Sequence, residues 1–216
     1  ARRYGAENLC LAEADILALN RAEASLLPED FRPCLRDVPM IQSFGVLHHL
    51  ADPLAGWRVL VDLLAEDGVM LIALYTERGR RNVLPVQAYL ADRASAVENG
   101  DPDLIRRSRA ALLALPEDHP AAGAKQFSDF FVASHFRDLF LHVQEHVFSL
   151  DRIGASLAEL GLVFLGAEPE PPTADLFRAE NPAPEAWRDL GAWDRFEARH
   201  PDAFLRCFSL WCGRPR

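Results

Sequence analysis

Short unbroken apolar runs alternate along the chain with stretches of helical spacing, and their order predicts an open α/β sheet. Asn8 to Asp15 (NLCLAEAD) is a brief apolar segment ending in a carboxylate, which predicts a strand leading into a loop. Met40 to Leu47 is apolar apart from a break of Ser43 and Gly45, and His48 and His49 follow it. Asp52-Pro53 places an N-cap before a proline at the first helical position, a strong helix start. Leu54, Trp57, Leu60, Val61 and Leu64 then recur at helical spacing, and Asp67-Gly68 predicts the turn that closes this helix. Val69 to Tyr75 runs without polar interruption, as expected of a parallel strand buried on both faces. Strand, crossover helix and strand make a βαβ unit, and sheets built from such units bind ligands beyond the carboxyl ends of their strands. Site residues are therefore expected at Asp15-Ile16, at Ser43 to His49 and at Tyr75 to Arg81.

From Leu84 to about Leu115 the spacing is helical, and Pro116 to Ala124 reads as a loop. That connection is longer than is usual between neighbouring strands, so residues 84–124 are expected to form a helical cap inserted over the strand ends. Leu150 to Leu160 is an amphipathic helix with Ser149 as its N-cap, Gly161 to Ala167 a strand, Glu185 to Arg199 a helix and Cys207 to Cys212 a terminal strand. At 216 residues the chain is long enough for one domain. Its 23 basic and 32 acidic residues give a net charge of −9, which disfavours general binding to nucleic acid or anionic lipid. Its apolar runs are far shorter than a membrane span needs, so a cytoplasmic location is expected. Cys10, Cys34, Cys207 and Cys212 form no CxxC pair and are expected to be reduced and buried. The opening Arg2-Arg3-Tyr4-Gly5 looks like the last turn of a helix with its glycine stop, so the sequence is expected to begin within the fold.

The segment IQSFGVLHHLADPLAGWRVLVDLLAEDGVMLIALY, Ile41 to Tyr75, resembles the second half of the S-adenosylmethionine-dependent methyltransferase domain with a Rossmann-like sheet. LCLAEADIL, Leu9 to Leu17, resembles the strand before it, whose terminal Asp meets adenine. Arg137 to Gly166 is similar to a branch of these enzymes sometimes fused to tetratricopeptide repeats, so the full-length chain is expected to carry such a region. The resemblance implies S-adenosylmethionine as cofactor, with Asp15 accepting from the adenine amino group and the Ile16 amide meeting a ring nitrogen. Ser43 and Gly45 would approach the methionine moiety through their backbone, and His48 would lie nearby. Two features depart from the family pattern. Pro39 stands where an Asp is usual, and neither the glycine-rich first turn nor the later acidic residue for the ribose is present. The resemblance therefore covers the carboxyl-terminal portion of the domain, with its first two strands expected upstream of Ala1.

No protein nucleophile is needed for methyl transfer, where alignment and exclusion of water supply much of the rate. Tyr75, Glu77, Arg81 and His142 are expected to bind the acceptor, and His146 and Glu145 to act on it, with a histidine as general base. Such a charged pocket suits a polar acceptor, a small molecule or a protein. His142 to His146 (HVQEH) also spells H-x-x-E-H, the inverted zinc-peptidase signature, which would require these residues on a helix. The β-branched and aromatic flanks argue against that, and no metal is expected. A further alternative is a binding domain that keeps the fold without catalysis.

Overall fold

The computed structural model describes residues 11–19, 35–94 and 103–215, and within them four strands form one sheet. β1 (Val38–Phe44), β2 (Leu64–Leu74), β3 (Val163–Ala167) and β4 (Phe208–Gly213) lie in the order β1-β2-β4-β3. β1 and β2 are parallel, while β4 runs antiparallel to both β2 and β3. Among the described residues the helices are α1 (Pro53–Leu63), α2 (Leu84–Ala94), α3 (Leu104–Leu113), α4 (Ala133–Phe140), α5 (Leu150–Glu159), α6 (Pro171–Glu180) and α7 (Leu190–Arg199).

Local chemistry explains most of these boundaries. The Asp52 carboxylate accepts from the Leu54 and Ala55 amides at 2.9 and 3.2 Å and starts α1, as its place before Pro53 predicts. The Ser149 hydroxyl accepts from the Arg152 amide and starts α5. The helix expected over Glu185 to Arg199 is divided: Pro184–Arg188 is a 3-10 turn, and α7 begins only after Asp189, whose carboxylate accepts from the Gly191 amide at 2.8 Å. A side chain that caps one helix cannot also continue another through itself.

Two further expectations are corrected. The turn expected at Asp67-Gly68 lies inside β2, which begins directly after α1 at Leu64. Val38 pairs with Leu64 and Met40 with Val69, so residues 65–68 loop out as a wide irregularity within one strand. The strand expected over Asn8 to Asp15 is not formed in its described part: Leu11 to Asp15 carries no strand pairing, and Ile16–Leu19 is a 3-10 turn. Ala and Glu are poor strand formers, and these residues are exposed with no partner strand beside them among the described residues. Residues 8–10, the opening Arg2 to Gly5, Cys10 and Cys34 lie outside the described residues.

Met70, Ile72 and Leu74 alternate onto one face of β2, join Phe208, Leu210 and Cys212 of β4, and meet Trp57, Ile153, Leu157, Phe177, Trp193 and Phe196 from four helices. Trp193 anchors the far side of this core: it stacks on Phe177 with centroids 3.5 Å apart, and its indole nitrogen donates to the Trp187 carbonyl. The helical segment after β2 has a core of its own, built from Val83, Val86, Leu90, Leu112 and Ala124 and running on to Phe130, Phe136 and Phe140. No helix among the described residues is long and apolar enough to cross a membrane.

Candidate functional site

The parallel strands β1 and β2 end side by side, and the segment from His142 to Phe148 lies across their ends. Thr76 and Phe148 form a parallel bridge, the Phe148 amide donates to the Tyr75 carbonyl at 2.9 Å, and the Glu77 amide donates to the Phe148 carbonyl. The His146 amide donates to the His48 carbonyl at 2.8 Å. Residues 142–146 are thus irregular backbone tied to the sheet, and the helix that the zinc-peptidase reading requires is not formed. Among the described residues no three His, Cys, Asp or Glu side chains are grouped to hold a metal ion.

His48, Tyr75 and Arg80 form a stack. The Arg80 guanidinium sits 3.3 Å from the centre of the Tyr75 ring, and the His48 ring centre lies 3.9 Å from that same point. Two groups so close to one ring centre must occupy its opposite faces, so Tyr75 is held between a cation and an imidazole. Arg80 also donates to the Glu145 carboxylate at 3.3 Å, and both side chains are buried. His48 is wholly buried, and its pKa is pushed down to about 3 by burial, with His49 and Arg80 adding repulsion. Burial raises the Tyr75 phenol, against the opposing pull of Arg80. Cys207 is half-buried beside Arg80 and Glu145, and burial pushes its thiol up to about 11, which leaves no thiolate to serve as a nucleophile.

Three arginines follow β2, and the fold sends each a different way. Arg78 bridges Asp194 and Glu197 of α7 at 2.6 and 3.1 Å, where burial pushes the Glu197 carboxyl up. Arg81 donates to the Pro201 carbonyl and to Asp202, away from the strand ends. Only Arg80 enters the cluster. Gly79 makes this turn possible, because a Cβ there would run into the Phe204 carbonyl oxygen. Gly79→Ala is expected to lower stability by about 1–3 kcal/mol, read as a shift in the urea midpoint without a change in slope.

The expected site residues therefore divide. His48, Tyr75, His142, Glu145 and His146 come together, and His142 stacks on His49 with ring centres 3.8 Å apart. Ser43 lies near the end of β1 with its hydroxyl buried and unpartnered. Gly45 follows with φ +68° and open space where a Cβ would stand. Glu77 is exposed. Asp15 is exposed too, and its carboxylate accepts from the Leu17 amide, while Ile16 packs beside Gly56 of α1. Arg80 and His49 fall inside the ranges expected at the strand ends, but sequence reasoning gave neither a role of its own. Nothing in YTERGRR distinguishes its arginines, and adjacent histidines look alike until one is buried. A depression of about 550 Å³ opens beside His142, and its walls are largely apolar: Ile105, Ala133, Leu141 and Val143, with Ser134, Arg137 and Asp138.

No family model matches the chain. It is similar to an uncharacterized protein of Synechococcus sp., 26% identical over 187 residues, which cover 81% of this chain and 43% of that protein. The chain thus spans less than half the length of that curated relative. Among solved structures it is similar to PKMT2 from Rickettsia typhi in complex with AdoHcy, with TM-score 0.54 and 13% identity over 81% of this chain and 36% of the other. PKMT2 from Rickettsia typhi is also matched on its own, with TM-score 0.52 and 14% identity over 81% and 35% of the two chains. The likeness is one of fold.

Proposed function

We propose that the chain is the carboxyl-terminal part of an S-adenosylmethionine-dependent methyltransferase domain. The observation that carries this reading is a concentration of unpaired polar atoms. Of ten buried side-chain polar atoms without a partner among the described residues, six lie at the ends of β1 and β2 or in the segment across them. They are Ser43 Oγ, both His48 nitrogens, Arg80 Nε, Glu145 Oε1 and His146 Nε2. Orphaned polar groups are costly in a core and are kept where a ligand or a reaction uses them. Ligands of open α/β sheets bind at this end of the strands, and the similar fold of PKMT2 was solved with AdoHcy, which is S-adenosylmethionine without its methyl group.

The residues present fit that cofactor. Gly45 leaves open space beside the backbone, and the Ser43 hydroxyl is free to pair. Ser43 and Gly45 hold the methionine part, Asp15 and the Ile16 amide hold adenine, and His48 supports the site from beneath. Bound there, S-adenosylmethionine supplies a methyl group on a sulfonium. Tyr75, Glu145 and His146 with His142 frame a polar acceptor: the free Glu145 oxygen calls for a partner that brings an N–H or O–H. Arg81 is committed to Asp202, and Arg80 neutralises Glu145, so these charges are already matched within the protein. The helices after β2 cap the site. Among the described residues β1 is an edge strand on which Met40 and Phe44 are about half exposed, an edge suited to further strands of such a sheet.

Calorimetry on the longer protein tests this. S-adenosylmethionine is expected to bind, and Asp15→Ala to weaken binding by about 1–3 kcal/mol, the cost of an unpaired polar group. Equal dissociation constants for the two proteins would remove Asp15 from the adenine site.

A further inference from the structure

One residue, Gln144, sets the protonation pattern of the two stacked histidines. The Gln144 carbonyl lies 3.0 Å from His49 Nδ1, and a carbonyl only accepts, so His49 carries its proton on Nδ1. The Gln144 amide donates to His142 Nδ1 at 3.3 Å, so that nitrogen is bare. In the neutral form His49 therefore offers a lone pair at Nε2, and His142 offers an N–H at Nε2.

Both rings direct their Nδ1 edges toward Gln144 and are stacked 25° from parallel. The two nitrogens of an imidazole point in nearly opposite directions, so both Nε2 atoms face away from Gln144, side by side. Among the described residues no hydrogen bond reaches either atom, and neither is among the sealed polar atoms, unlike the Nε2 atoms of His48 and His146. The pair presents one acceptor and one donor together, and the apolar depression begins at His142.

We propose that this pair selects a hydroxyl acceptor with an apolar body, and that His49 takes its proton. The inference rests on the methyl-transfer reading and names the substrate class of that site. A hydroxyl oxygen has one proton and two lone pairs. It can donate to His49, accept from His142 and keep a lone pair for the methyl carbon. An ammonium has no lone pair, and a neutral amine has one, which the His142 N–H would occupy. As the oxygen forms its bond to the methyl carbon, the carbon–sulfur bond breaks with its electron pair going to sulfur. The hydroxyl proton passes to His49 Nε2, and the positive charge lost from the sulfonium reappears on that imidazole. Ile105, Leu141 and Val143 supply the apolar wall for the rest of the acceptor.

Nitrogen-15 spectra of the histidine side chains test the pattern on the chain itself. The proton is expected on Nδ1 of His49 and on Nε2 of His142, and the opposite assignment for either ring overturns the proposal. Benzyl alcohol and benzylamine, matched in size, then serve as probes. Benzyl alcohol is expected to shift both Nε2 signals and to bind about tenfold more weakly to His142→Phe, the effect of one lost hydrogen bond. Equal or tighter binding of benzylamine, or no shift from benzyl alcohol, overturns it as well. Failure of the longer protein to bind S-adenosylmethionine would instead remove the methyl-transfer reading and leave these spectra unchanged.

Discussion

Replacing Glu145 with Leu should lower the unfolding free energy by about 3–5 kcal/mol, because it leaves the Arg80 guanidinium buried without a counter-charge. Arg80 and Glu145 are both almost fully buried and lie 3.3 Å apart. The remaining support of Arg80 is the Tyr75 ring at 3.3 Å, a contact worth about 2 kcal/mol in a desolvated setting and less than the cost of an unpaired buried charge. The double variant Arg80→Met with Glu145→Leu removes both charges and should recover much of the loss, since apolar pairs often replace buried ion pairs at little cost. Urea unfolding of the two single variants and the double variant measures the coupling. A single Glu145→Leu variant within about 1 kcal/mol of the parent would show that Arg80 finds water instead, against its burial.

His48 should make the protein acid-sensitive. Its pKa is about 3 in the fold against 6.5 when unfolded. Below pH 6.5 the unfolded chain binds a proton that the folded chain refuses, so stability is fully present above that value and falls as pH drops. The slope is about 1.4 kcal/mol per pH unit, and the full loss by pH 3 is about 4–5 kcal/mol. His48→Phe keeps a ring against Tyr75 and has nothing to protonate. Its stability should vary less with pH between 6.5 and 4 by that slope. Parallel curves for the two proteins would mean that His48 is protonated in the folded state.

Much of the sheet is legible in the residues because its signals are local. The unbroken run Val69 to Leu74 marks a strand enclosed by neighbours, and Asp52-Pro53 and Ser149 mark helix starts through hydrogen bonds made within three residues. The segment from His142 to His146, far from Tyr75 in the chain, lies against the end of β2, while Glu77 and Arg81, expected in the same cluster, turn away from it. Where a segment offers local signals for two structures, the residues do not decide. Asp67-Gly68 has the chemistry of a turn, yet the pairing of Val38 with Leu64 draws it into a strand. Asp189 interrupts a pattern that reads as one helix.

What the sequence by itself determined is which residue types stand at the strand ends: histidines, arginines and a carboxylate, because backbone propensity and apolar spacing act over a few residues. Which of them belong to the site was decided only by tertiary structure. Arg78, Arg80 and Arg81 are equivalent as letters, and their directions depend on α7, Glu145 and Asp202, each more than sixty positions away. His48 and His49 are adjacent, yet one is sealed beneath Tyr75 and the other has its protons arranged by the Gln144 backbone. Burial and hydrogen-bond partners set the charge and tautomer of a side chain, and both are supplied by segments that meet only when the chain has folded.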